Sequence, residues 1–359
     1  MSSHRSLQEA LQAPVTAQAR LEILDRLWPY HASAIEEEDK SDWDAYFAYY
    51  TRQCTMALLD EGRQLCARNH EDILRIARLL TTEPTRSSVK TRIQEGLTQR
   101  RADEEEMQML EGSASLATRL LAMIDVGPLP SEVSGRRTLP WCDESLYAAI
   151  HTHFDTPQDP DAEKIALAMD FTARNIVNTA GIAIIWTDNL VDHLRLVDND
   201  KKLCVFHHVS FLNRMEWTQS HAFPAGFARE TLDTLRLLFP SSDRKAKRWL
   251  RVTYRSDVVS AKVDGGLLNV GELKINHSSR RLENLNFWRD RLGAVKDAVD
   301  EATPPTRALL KALSDHKQSD RWLSSWVAIV AIGLTLFFGL VQSIEGAIQV
   351  YKAYHSESN

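Results

Sequence analysis

The chain has 359 residues, 43% of them hydrophobic and 26% charged, proportions that exclude wholesale disorder and collagen-like repetition. A formal net charge of −6 excludes the basic footprint of a general nucleic-acid binder, so no nucleic acid is expected as a partner. The four cysteines (Cys54, Cys66, Cys142 and Cys204) are too scattered for a disulfide framework or a paired-thiolate zinc site, and they read as reduced thiols.

The N-terminus, MSSHRSLQEALQAP, lacks the apolar run of a secretory leader, and no signal peptide is expected. Residues 1–126 hold three glycines and three prolines, and their apolar residues recur at helical spacing. Leu21, Leu24, Leu27 and Trp28, then Ile73, Ile76, Leu79 and Leu80, then Leu116, Leu120, Leu121 and Ile124 predict a helical region of four or five segments. Residues 81–90 read as a loop, and the aromatic run from Trp43 to Tyr50 reads as a core face rather than a ligand groove. Between Gly127 and Pro140, five of fourteen residues are Gly or Pro, which marks a linker.

A mixed α/β domain is predicted over 141–280. Asp143 is placed to cap a helix carrying Leu146, Tyr147, Ile150 and Phe154, and a second helix is predicted over about 161–178. Gly181–Trp186 is a short β-branched run, expected to be a buried strand. Asp198-Asn199-Asp200 separates two extended segments, 194–197 and 203–206. A helix over about 228–239 stops at Pro240, and residues 250–260 and 267–276, split by Gly265-Gly266, read as a hairpin. Residues 281–321 return to helix, with Leu285, Trp288, Leu292, Val295 and Val299 forming a short heptad seam broken by Pro304-Pro305.

From Trp322 to Ile344, 23 residues pass without a charge and sixteen of them are apolar. As a helix this run is roughly 34 Å long, enough for a hydrocarbon core of about 30 Å. Arg307, Lys311, Lys317 and Arg321 precede it and only Lys352 follows. The positive-inside rule then places the N-terminal region in the cytoplasm and residues 345–359 across the membrane as a short tail, the arrangement of a tail anchor. The sequon at Asn276-His277-Ser278 would stay unmodified on the cytosolic side. Ala331, Thr335, Gly339, Ser343 and Ala347 form a row of small residues at every fourth position, with Gln342 close to the same side. Such a row lets membrane helices approach closely, so the expected partners are the lipid bilayer and either further copies of this chain or another membrane protein. The predicted fold class is therefore α+β and mostly helical: an N-terminal helical region, a mixed middle region, juxtamembrane helices and one C-terminal transmembrane helix.

Catalytic signatures are scarce. No Walker, dinucleotide-binding, nucleophile-elbow or zincin motif occurs, and neither a metal nor a cofactor is expected. His151 and His153 stand two apart on a helix and point about 200° away from one another. His207 and His208 follow a strand and are expected on opposite faces. Asp198–Lys202 starts like a calcium loop but lacks its central glycine and closing glutamate. Acidic runs at 36–39 and 104–106 read as solvated faces. The most suggestive cluster is Trp186–Leu194 at a strand end, where Asp188, Asp192 and His193 could converge on a ligand, or Asp188 could simply cap a turn. A second candidate is the basic stretch Arg244-Lys245-Ala246-Lys247-Arg248 with Trp249, read as a solvated helix face, a contact for an anionic leaflet or a nuclear address.

Glu83–Val89, the Trp186–Leu194 cluster with Val205–His208, Glu283–Leu292 and, above all, Leu334–Tyr354 resemble a large family of single-pass membrane proteins of filamentous fungi that carries no assigned activity. Members that lie in lineage-specific or clustered genes imply accessory roles in secondary metabolism or at the hyphal surface. The layout is also similar to CorA-type magnesium transporters, with a cytosolic α/β domain, a helix and a C-terminal membrane helix. It departs from them where Ser343-Ile344-Glu345-Gly346 replaces Gly-Met-Asn and where no second span follows. The resulting expectation is a non-enzymatic, membrane-anchored interaction protein. A CorA-like oligomeric cation pathway, or an accessory enzyme using Asp188, Asp192 and His193, stands as the alternative.

Overall fold

The computed structural model describes residues 7–29, 42–59, 64–97, 102–127, 135–155, 165–218, 222–256, 263–271, 280–302 and 319–356. The acidic run at 36–39, the sequon and residues 303–318 lie outside them. The chain forms two compact units, Met1–Val299 and Asp300–Asn359. The fold is α+β and mostly helical, as its apolar spacing predicts.

In the first unit, helices α1 (Ala17–Leu27), α2 (Asp44–Ala57), α3 (His70–Thr82), α4 (Arg86–Glu95) and α5 (Asp103–Ala122) come first. Their starts are set locally, because the Thr16, Asn69 and Thr85 side chains each accept a backbone N–H of the first turn. The Thr85 cap with Ser88 opens α4 inside the stretch expected to be a loop. On α2 the aromatic run is core, with Tyr46, Phe47, Tyr49 and Tyr50 buried. Two of these rings also close another helix. The final carbonyls of an α-helix have no partner within it; on α5, Leu120 O accepts from Tyr46 Oη (2.8 Å) and Leu121 O from Trp28 Nε1 (3.0 Å), while Arg119 O accepts from Tyr49 Oη (3.2 Å) beside the Met123 cap N–H (2.9 Å). Met123 follows in the left-handed conformation, φ 51°.

Leu139 N–H donates to Asp125 O (2.8 Å), which sets the two sides of the expected linker against one another. A single core cluster joins Leu24, Tyr46, Leu120, Leu190, Phe206, Leu232 and Trp288, so the regions on either side of 127–140 share one interior. Helix α6 (Leu146–Phe154) is capped by Ser145, not by Asp143, whose carboxylate instead accepts from the Ser87 backbone and hydroxyl. Of the helix expected over 161–178, residues 161–164 lie outside the described ones and 165–172 are not helical; α7 (Ala173–Asn175) follows, then a π turn, Ile176–Ala180. Upstream, Leu167 N–H donates to Arg280 O and Leu282 N–H to Ile165 O, so backbone groups that a helix would use are spent on a neighbouring segment.

The sheet has three strands in the order β1 (Ala183–Thr187), β3 (Lys202–Phe206), β2 (Leu196–Val197). β1 pairs parallel with β3, Thr187 opposite Phe206, and β2 pairs antiparallel with β3. Asp198, Asn199 and Asp200 turn the β2–β3 connection in three successive left-handed residues, which suits Asn and Asp better than other side chains with a Cβ. Helices α8 (Val209–Thr218), α9 (Phe227–Leu238) and α10 (Arg244–Ser256) follow. Over 250–256 and 265–269, helix α10 and the 3₁₀ turn Gly265–Asn269 stand where a hairpin is expected, and residues 257–260 and 272–276 of that expectation lie outside the described ones. Ala246 and Leu250, one helical turn apart, are both buried and fix the inner face of α10. The juxtamembrane helix starts later than expected: a 3₁₀ turn, Leu282–Asn284, precedes α11 (Arg289–Ala302). The Glu230 carboxylate on α9 accepts from the backbone N–H groups of Asn286, Phe287 and Trp288 between them.

The second unit contains α12, Ser319–Ser356. It runs on through residues expected to form a separate tail, since no proline interrupts 345–356. Its segment Val330–Tyr351 is long and apolar enough to cross a membrane. Ala331, Thr335, Gly339, Gln342 and Ser343 all lie on this helix and are exposed.

Candidate functional site

Parallel pairing of β1 with β3 brings together the residues that leave the two strands at the same end. Asp188 follows Thr187, and His207-His208 follow Phe206. The two histidines were expected on opposite faces, and the structure corrects this. Strand alternation applies only inside the ladder, which stops at Phe206, while α8 starts at Val209. In the two-residue elbow between them both rings turn to the same carboxylate, with centroids 4.0 Å apart. His208 Nε2 lies 2.7 Å from Asp188 Oδ1, and His207 Nε2 is 3.3 Å from the same oxygen. The other carboxylate oxygen accepts from the Arg52 guanidinium on α2. All three residues of the cluster are buried.

Burial alone would push the Asp188 carboxyl up. The two imidazoles beside it outweigh that cost and hold it well below the usual carboxylate range. Burial, with His207 next to it, lowers His208 to about 4, so this ring is neutral near pH 7. The result is a buried carboxylate facing two imidazoles and a guanidinium, an ion pair that ties α2 to the ends of β1 and β3.

Asp188 with two histidines, ligand atoms all within 4.8 Å of one another, is a donor set that metal ions use. The proton arrangement opposes that use. Asp264 N–H donates to His207 Nδ1 (3.2 Å), which leaves Nε2, facing Asp188, as the ring nitrogen that carries a proton. A metal at Nε2 would need the imidazolate, and the Arg52 cation already occupies the other carboxylate oxygen. Metal-binding histidines show the reverse second-shell pattern, donating their other N–H. Excess Zn²⁺, or chelation with EDTA, is therefore expected to leave the thermal midpoint of the full chain unchanged. A rise with Zn²⁺ in differential scanning fluorimetry would overturn this reading.

Asp188, Asp192 and His193 do not share one site. Asp192 Oδ1 accepts from Arg195 Nε (2.7 Å) and from the Arg137 backbone N–H (3.2 Å). His193 accepts at Nδ1 from Phe206 N–H (3.2 Å) and donates at Nε2 to Thr234 Oγ1 (2.8 Å), whose own proton goes to Thr231 O (2.6 Å). Both ring nitrogens are thus engaged, and burial with Arg291 nearby holds this imidazole well below its ordinary value. The ring stands edge-on to Trp288 at 4.7 Å. Such a histidine supports structure, since neither nitrogen is open to a substrate.

The residue that organises the turn is Asn189, not Asp188. Its Oδ1 accepts from Val191 N–H (3.3 Å), capping the 3₁₀ turn Leu190–Asp192, and from Asp125 N–H (3.0 Å). Its Nδ2 donates to Arg137 O (2.7 Å) and Asp192 Oδ2 (3.0 Å). One buried amide thereby joins the end of α5, residues 135–139 and the β1–β2 connection. Nearby, Asp125 is buried between Arg119 and Arg136 at ion-pair distances of 3.8 and 3.5 Å, and desolvation raises its carboxyl.

Sequence reasoning missed Arg52, Asn189 and the two histidines. A usable signal was present: two short β-branched runs joined by a connection that allows parallel pairing place their C-terminal neighbours side by side. No family model, curated protein or solved structure matches this chain.

Proposed function

We propose that this is a single-pass, membrane-anchored protein whose N-terminal unit faces the cytosol and holds partners, or further copies of the chain, at the bilayer without catalysing a reaction. The observation that carries this reading is the apolar segment Val330–Tyr351, none of which is buried. Ile332, Leu336, Phe337, Leu340, Ile344 and Ile348 are all exposed, and water is a poor solvent for such a surface. As a helix the 22 residues span about 33 Å. The excess of basic residues before the span favours a cytosolic N-terminal side. The row Ala331, Thr335, Gly339 and Ser343 supports association within the membrane. Thr335 returns its hydroxyl to Ala331 O (2.8 Å), and a side-chain carbon placed on Gly339 meets nothing within 4 Å, so a second helix could approach this face. The non-enzymatic part is favoured by His193 and Asp192, whose polar atoms are engaged in holding the fold.

The chain is expected to stay in the membrane pellet through alkaline carbonate extraction. In mild detergent its native mass should exceed that of the monomer, through copies of itself or an identified second protein. Replacing Gly339 and Ser343 with isoleucine is expected to lower that mass. Carbonate release would remove the anchor, and a clean monomer with nothing bound would remove the holding role.

A further inference from the structure

Helix α10 reads Arg-Lys-Ala-Lys-Arg-Trp-Leu-Arg-Val-Thr-Tyr-Arg-Ser, with six cations and no acid in thirteen residues. Its inner side is settled by Ala246 and Leu250, which are buried, with Trp249 half-buried beside them. Arg244, Lys245, Arg248 and Arg251 are exposed and Lys247 partly so. Positions 244, 248 and 251 fall on one stripe of the helix, at spacings of four and three.

Among the described residues these cations are uncompensated. Elsewhere, several surface arginines meet carboxylates: Arg20 pairs with Asp44, Arg26 with Glu71, and Arg92 with Glu95. Among the described residues no acidic side chain pairs with Arg244, Lys245, Lys247, Arg248 or Arg251. The elements packed on α10 add none: α7 contributes Ala173, Arg174 and Asn175, and the 3₁₀ turn contributes Gly265–Asn269. The one acid at its start, Asp243, is engaged in capping, with Oδ1 accepting from the N–H groups of Lys245 and Ala246. A chain of net charge −6 thus presents one face of a single sign, whereas ordinary protein surfaces intersperse both signs.

We infer that the exposed face of α10 docks on the anionic headgroups of the membrane in which the chain is anchored. This rests on the anchored, cytosol-facing reading above, because the cytosolic leaflet is the negative one. Two observations favour lipid over a nucleic acid or an acidic protein. The same chain carries a fully exposed apolar helix of membrane length. Only 16 residues separate Ala302 from Ser319, so the first unit is covalently tethered to whatever bilayer α12 enters. Because Ala246 and Leu250 are already buried in the protein's own core, the contact is electrostatic and peripheral, without insertion. Salt should therefore weaken it.

The test uses the full chain in nanodiscs of phosphatidylcholine alone or of phosphatidylcholine mixed with phosphatidylserine. Lys245 and Lys247 are footprinted with an amine-reactive reagent and read by mass spectrometry. Labelling of both is expected to be about fivefold slower in the anionic discs, with the difference lost in high salt. The R244Q/R248Q/R251Q variant should enter both discs and show no lipid dependence. Equal labelling of the wild-type chain in the two discs would overturn the docking while leaving the anchor intact. Failure to enter either disc would overturn the anchor itself, and the docking with it. Equal protection by added RNA in neutral discs would reveal a general polyanion site and overturn the lipid assignment.

Discussion

Replacing Asn189 with aspartate is expected to destabilise the first unit by about 3 kcal/mol or more, although the two side chains have the same shape. Asn189 is 1% exposed and its side chain makes four hydrogen bonds. Both bonds donated by Nδ2 end on oxygens, Arg137 O at 2.7 Å and Asp192 Oδ2 at 3.0 Å. In the variant a carboxylate oxygen faces those acceptors, so two attractive contacts become repulsive and a charge is buried next to Asp192. Accepting bonds from Asp125 and Val191 are retained, which confines the loss to the donor side. Urea unfolding of the full chain in detergent, followed by tryptophan fluorescence, measures the effect. A midpoint within error of the wild type would show that the amide does not hold the turn.

Acid should unfold the same region. His208 is lowered to about 4 in the folded chain, against an ordinary value near 6.5, first by burial and then by His207. Between those two values the unfolded chain binds the extra proton, so stability falls as pH falls from about 6.5 to about 4. From this ring alone the loss is about 3 kcal/mol. His193 is lowered in the same direction and adds to the fall. Asp188 acts in a different window, because its carboxyl is depressed and its contribution is present above the ordinary carboxylate value of about 4. It is lost only when pH drops through the depressed value. His208→Gln keeps an N–H donor toward Asp188 and removes the titration. Its stability is expected to depend less steeply on pH between 4 and 6.5, with a residual slope from His193 and the other lowered histidines, His70, His151 and His153. An unchanged slope in thermal melts would exclude His208 as the source.

Much of this fold can be read from residue spacing. The helical periodicity of residues 1–126 is long and regular, and α1, α3 and α5 lie where it puts them. The Asp-Asn-Asp turn is legible because only a few residue types accept three left-handed positions in succession. Two stretches mislead for a physical reason. Val252, Thr253 and Tyr254 favour a strand, yet Ala246 and Leu250 bury one side of a helix, and packing outweighs a local preference of that size. At 165–172 the backbone bonds to 280–282, a partner more than a hundred residues away that no local pattern announces.

The polar cluster is only half legible for the same reason. Asp188 stands out as an acid at a strand end, but its partners Arg52 and His208 come from 136 and 20 residues away. The rule that neighbouring strand residues face opposite sides also fails as soon as the ladder ends at Phe206.

The aromatic donors at the end of α5 bear on how the chain folds. Three of the helix's final carbonyls accept from Trp28, Tyr46 and Tyr49, residues 93, 74 and 70 positions earlier in the chain. Loop closure over such distances is slow compared with helix growth, which adds residues in nanoseconds. The first turns of α5 can therefore form by themselves, while its last turn frays until α1 and α2 arrive. Completion of this helix is thus a tertiary event, coupled to the assembly of the N-terminal core.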